Sequence, residues 1–182
     1  GSHIEKAVHL LSLDEKRILF QPTLFNHDSR VVEIWFAGVH SDIGGSYWFD
    51  GLSDITLQYM LNCVEKELTI VDVNDIDYEA LKIAGAQDDI CIDDLNIKPL
   101  VTGKLHTQVR TKTNSVTLSP RLVRVNVDDV KSNHVPLVHH SVSERFTKVS
   151  EYRPYALRNL HFKIIDDEGM TIDMPHGISS LD

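Results

Sequence analysis

The chain has 182 residues, 42% of them hydrophobic and 25% charged. That suits one domain, or one domain with an appendage, and excludes a disordered chain. The net charge of −9, with no cluster of Lys and Arg, excludes a nucleic-acid platform and gives no electrostatic help toward anionic lipid.

The opening GSHIEKAVHLL lacks the basic-then-apolar order of a signal peptide. With no initiator Met, it reads as the start of a piece of something longer. Ile4, Ala7, Val8 and Leu11 follow the i, i+3, i+4, i+7 spacing of a helix. Pro22 ends that pattern, and NHDSR (26–30) is a polar loop. VVEIWFAGV (31–39) is a strand, interrupted only by Glu33. Being apolar on both faces, it is expected to be a central strand covered on each side. Trp35 and Phe36 read as core, and Trp35 with Tyr47 also as a possible substrate wall.

The strand stops at His40, before Gly44 and Gly45. Those glycines permit a sharp turn by positive φ. A helix follows in LSDITLQYMLNCVEKEL, capped by Ser53 or Asp54 and carrying an apolar stripe of Leu57, Met60, Leu61, Val64 and Leu68. Strand, loop and helix in that order is α/β grammar. In open α/β sheets functional groups lie past the carboxyl ends of strands, which is where His40 sits. Three roles stay open for it: a general base for a serine, a ring that braces the turn, or a metal ligand with Asp42 or Asp54. Asp42 organises the loop amides or touches the imidazole. No Gly-Lys-Ser/Thr follows, so the loop is not a phosphate cradle. Nothing in the sequence calls for a cofactor or a metal.

Residues 72–94 are acidic, with Asp72, Asp75, Asp77, Glu79, Asp88, Asp89, Asp93 and Asp94. Read as a calcium loop from Asp75, they put Ala80 where Gly is needed and Ala86 where Glu is needed, so a solvated insertion is the better reading. SPRLVRVNVDDV (119–130) alternates like a half-buried strand. HHSVSERFTKV is a short amphipathic helix with a solvated start, and EYRPYALRNL is an extended segment fixed by Pro154. Cys63 and Cys91 are too few for a disulfide framework and read as buried free thiols. No stretch approaches the ~20 apolar residues of a membrane span.

HLLSLDEKRILFQPTLF, EIWFAGVHSDIGGSY and LSDITLQYML resemble, in order and spacing, a family of α/β-hydrolase-like domains linked to the catalytic domain of class-one type VI secretion phospholipase effectors. Residues 4–68 carry the resemblance. GKLH (103–106), SPRLVRV (119–125), HHSVSERF (139–146) and YRP (152–154) look like later landmarks of the same family. The family has a third glycine where this chain has Ser46. The resemblance implies a serine hydrolase with a Ser-Asp-His triad, and it places the triad histidine at His40. It makes the fold α/β: the C-terminal part of a hydrolase-like domain over residues 1–70, with the acidic insertion and an appended, β-containing segment over 71–182.

The family's Gly-x-Ser-x-Gly elbow and its acid are not found here; the nearest Gly-x-Ser, GIS (177–179), follows no strand. The expectation is therefore that this chain supplies the histidine and is inactive alone. The rest of the site would come from a missing N-terminal part of the domain or from a partner chain, and the substrate would be an ester or phospholipid. The protein would be made in the cytoplasm and delivered by a secretion system. The alternatives are a degenerate, non-enzymatic interaction module and a metal-assisted hydrolase.

Overall fold

Five strands form one sheet in the order β1-β2-β3-β4-β5. They are β1 (Ala7–Ser12), β2 (Val31–Phe36), β3 (Leu137–His139), β4 (Phe162–Ile165) and β5 (Thr171–Met174). The first four run parallel, and β5 returns antiparallel to β4. The helices are α1 (His40–Gly44), α2 (Leu52–Val64), α3 (Ile92–Leu95) and α4 (His140–Lys148). The computed structural model describes residues 3–48, 51–80, 91–109, 111–113, 116–128 and 132–181. Lys82, Ala86, Asp88 and Asp89 of the acidic run lie outside the described residues.

β2 is an inner strand, covered on both sides as its two apolar faces demand. Trp35 packs with Leu11, Val138, Val142 and Phe146 on one side. Ile34 and Phe36 pack with Leu52, Ile55 and Tyr59 on the other. Trp35 is only 1% exposed, so it belongs to the core and reaches no surface against which substrate could lie. α/β layering thus follows from one strand that must be covered twice.

The expected N-terminal helix is a strand. Val8 and Leu10 face the α2 layer while Leu11 and Leu13 face the α4 layer, so the true period is two. Parallel pairing along all of β2 overrides the helical spacing, and the odd Glu33 of β2 meets His9 of β1 at 2.9 Å. The neighbours of β2 are therefore residues 7–12 and 137–139. The 119–127 run alternates in burial, with Arg121 and Val123 inside and Leu122 and Arg124 outside. Among the described residues it nevertheless forms only one isolated bridge, between Asn26 and Asn126.

α2 buries Leu52, Ile55, Thr56 and Tyr59, a face rotated from the expected stripe; Leu57 and Leu68 are exposed. Its N-cap is Gly51, at φ 74°, rather than Ser53 or Asp54. Cys63 is half-buried and Cys91 exposed, so neither is the fully buried thiol expected. His139, expected in solvent, is 1% exposed and caps α4. The described part of the acidic segment is largely exposed.

Candidate active site

The carboxyl end of β2 is tied to that of β1. The amides of Leu13 and Asp14 donate to Phe36 and Gly38 carbonyls, and the Gly38 amide donates to Asp14 Oδ2 at 2.9 Å. Tyr152 adds its hydroxyl to the same oxygen at 3.0 Å. Burial, the largest influence, pushes the Asp14 carboxyl up to about 6 against these bonds. Gly38 has φ 139°. A side chain there would place Cβ 2.7 Å from Asp42 Cβ, so this glycine lets α1 fold back onto the strand end.

α1 then carries Asp42 inward. Asp42 is 0% exposed. Its Oδ2 accepts the Val39 amide at 2.8 Å and the His106 amide at 3.2 Å. Its Oδ1 lies 2.7 Å from His106 Nδ1. Asp42 thus organises the loop, and the imidazole it touches is that of His106. With Nδ1–H donated to the carboxylate, Nε2 presents a lone pair, and no described residue bonds to it. The Tyr47 ring stacks on His106 at 3.6 Å, and Tyr47 is 40% exposed.

Residues 98–106 have no regular structure, yet they are held at three points. The Lys98 amide donates to Asp54 Oδ2 at 2.8 Å, and the Leu100 amide to the Gly51 carbonyl at 3.0 Å. From α4, the buried Arg145 donates through Nη1 to the carbonyls of Val101 and Gly103, the latter at 2.8 Å. α2 and α4 thus position the histidine between them.

His40 opens α1 on the outer side, with its side chain 44% exposed. Its Nδ1 lies 2.7 Å from Glu15 Oε2 and 3.0 Å from Arg17 Nη2, and its Nε2 lies 3.1 Å from Ser41 Oγ. Glu15 is wholly buried and is forked by Arg17 at 3.0 and 2.8 Å. Burial pushes the Glu15 carboxyl up, but the Arg17 bonds and then His40 outweigh it and hold it at about 2. Among the described residues, the carboxylates of Asp42 and Asp54 bond to Val39, His106 and Lys98 rather than to His40, so the metal pair left open as an alternative does not assemble. Of the two glycines expected to turn the loop, Gly45 does so at φ 75°, while Gly44 continues the helix without positive φ.

Among the described residues, His139, His140 and Asp167 are the group of ligand-type side chains close enough to share a metal ion, and they stand apart from His40. No described helix is long and apolar enough to cross a membrane.

Sequence reasoning did not foresee the Asp42–His106 contact. The signal was present in GKLH, but no short spacing ties His106 to Asp42, and the acidic segment lies between them. Comparison with known proteins finds no significant match among curated proteins or solved structures. Residues 1–63, which hold β1, β2, the Gly38 turn, Asp42 and nearly all of α2, match the family model described as "T6SS, Phospholipase effector Tle1-like, catalytic domain", and it is to this phospholipase family that this part of the chain is similar.

Proposed function

We propose that Asp42 and His106 are the acid and base of a serine hydrolase that cleaves carboxylic esters of phospholipids. The nucleophilic serine would come from polypeptide outside these 182 residues, either a preceding part of the domain or a partner chain. One observation carries this reading: a wholly buried carboxylate 2.7 Å from Nδ1 of an imidazole whose Nε2 has no described partner. The serine hydroxyl gives its proton to Nε2 as it attacks the ester carbonyl. Asp42 holds the tautomer and stabilises the imidazolium, which then protonates the departing alcohol. The match to a type VI secretion effector family supports a lipid substrate and delivery by that system.

His40 is the second reading, favoured by its contacts to Glu15 and Ser41. Glu15, however, already has its charge matched by Arg17, which also approaches the same ring nitrogen. That leaves less carboxylate field to stabilise a positive ring than at His106. Ester hydrolysis by the parent protein separates the readings. His106→Ala should lower kcat by at least ~10³-fold and His40→Ala by far less. The reverse order transfers the base to His40, no loss from either places the base elsewhere, and absence of turnover by the parent protein supports the non-enzymatic module.

A further inference from the structure

We propose that His139, His140 and Asp167 form a binding site for a divalent transition-metal ion of the zinc class, at the junction of β3, α4 and the β4–β5 turn. His139 Nε2 lies 3.1 Å from Asp167 Oδ1, and His140 Nε2 lies 3.2 Å from Asp167 Oδ2. The three ligand atoms fall within 4.8 Å of one another. Neighbouring residues of a strand point to opposite faces, but here the strand ends at His139 and the helix begins at His140. The change of backbone brings both rings to one side, with centroids 4.3 Å apart.

Both rings are held before any ion arrives. His139 stacks on Phe36 at 4.4 Å and meets Tyr59 edge-on at 5.3 Å, and its Nδ1 lies 2.9 Å from Ser141 Oγ. His140 Nδ1 lies 3.1 Å from Glu144 Oε1. Metal binding through Nε2 places the proton of each ring on Nδ1: His140 then donates to Glu144 Oε1, and His139 donates to Ser141 Oγ, giving up the cap that its Nδ1 accepts from the Ser141 amide at 3.4 Å. A carboxylate behind a ligating histidine is the usual outer-shell support. Two imidazoles and one carboxylate select zinc-class ions over calcium or magnesium, which prefer all-oxygen sites. His140 and Asp167 stay 33% and 40% exposed, so coordination is completed by water from the open side. This site is independent of the Asp42–His106 pair, and the ion would tie the β4–β5 turn to the head of α4.

The test is titration of the chelator-stripped 182-residue chain with Zn²⁺ by calorimetry, and with Co²⁺ by visible absorption. One equivalent should bind, Tm should rise, and EDTA should reverse both. Asp167→Asn and His140→Ala should abolish the Co²⁺ bands, while Glu144→Gln should weaken binding by ~10–100-fold. His134→Ala, which removes a histidine stacked on His27 elsewhere, should change nothing. Absence of stoichiometric binding overturns the proposal, as does binding unaltered in folded Asp167→Asn and His140→Ala. If either ligand variant fails to fold, the Glu144→Gln result decides: unchanged affinity overturns the proposal.

Discussion

Asp42 holds the loop amides and, in the proposed mechanism, also the base, and two substitutions separate these roles. Asp42→Ala removes every acceptor at once. The Val39 amide, in a residue 0% exposed, loses its partner at 2.8 Å, and the His106 amide and Nδ1–H lose theirs. One orphaned buried donor costs about 1–3 kcal/mol. With Val39 fully enclosed and His106 partly wetted, the expected loss is about 2–4 kcal/mol. Asp42→Asn keeps the shape and one carbonyl oxygen. That oxygen can stay on Val39, which turns the amide NH₂ toward His106 Nδ1. Nδ1 must then accept, the ring proton moves to Nε2, and the base is blocked. Stability should fall by about 1 kcal/mol, while activity of the parent protein should fall by about 10⁴-fold, as expected for a triad histidine held in the wrong tautomer. Urea unfolding gives the first quantity, ester turnover the second, and imidazole ¹⁵N shifts report the tautomer. If Asp42→Asn kept near-normal turnover, or if the His106 ¹⁵N pattern did not change, the relay would not run through this pair.

The turn glycines should respond in opposite senses. Gly38→Ala, at φ 139° and against Asp42, should destabilise by about 2 kcal/mol or more, whereas Gly44→Ala, in open space within α1, should be neutral or stabilising by up to about 1 kcal/mol; equal Tm values for the two would contradict the assigned backbone roles. Arg145→Lys keeps the charge but its shorter arm does not carry a nitrogen to the place of Nη1, which bonds both Val101 and Gly103, so it should cost about 1.5–3 kcal/mol and disturb the His106 NMR signals; an unmoved His106 signal would show that another contact positions the ring. Burial above all, with the His140 ring second, pushes His139 down to about 4 from 6.5. Its contribution is therefore complete above pH 6.5 and lost as pH falls toward 4, by about 3 kcal/mol at most. In EDTA, wild type should lose stability relative to His139→Phe over that window, and a constant difference would count against a buried neutral ring.

The sheet and the site were legible to different depths. β2 could be read from its residues because a strand apolar on both faces has few other places to go. β1 could not, because Ile4, Ala7, Val8 and Leu11 satisfy a helical spacing while Val8 with Leu10 and Leu11 with Leu13 satisfy alternation on two faces, and only pairing with β2 decides between them. α2 was found but rotated, since its buried face is chosen by Phe36 and Ile165 rather than by its own most apolar stripe. GVHSDIGG drew the reading to its histidine rather than to the Asp42–His106 contact. The exposed His40 draws attention in a string of letters, while Asp42 gains its meaning only from His106, which long-range packing by Arg145 brings to it. Gly38 was overlooked for the same reason: its need for a bare Cα is set by Asp42, four residues on, folding back against it.

α4 acts as a spacer of fixed phase. His140 and Arg145 are five positions apart, about 140° around the helix axis, so one reaches toward the β4–β5 turn while the other reaches toward residues 101–103. Inserting or deleting a single residue between them would swing one partner by about 100° relative to the other, and no side-chain adjustment of ordinary length would recover both. Related chains should therefore vary freely at the exposed Thr147 and Lys148, yet preserve the count of residues from His140 to Arg145, a constraint on length rather than on identity.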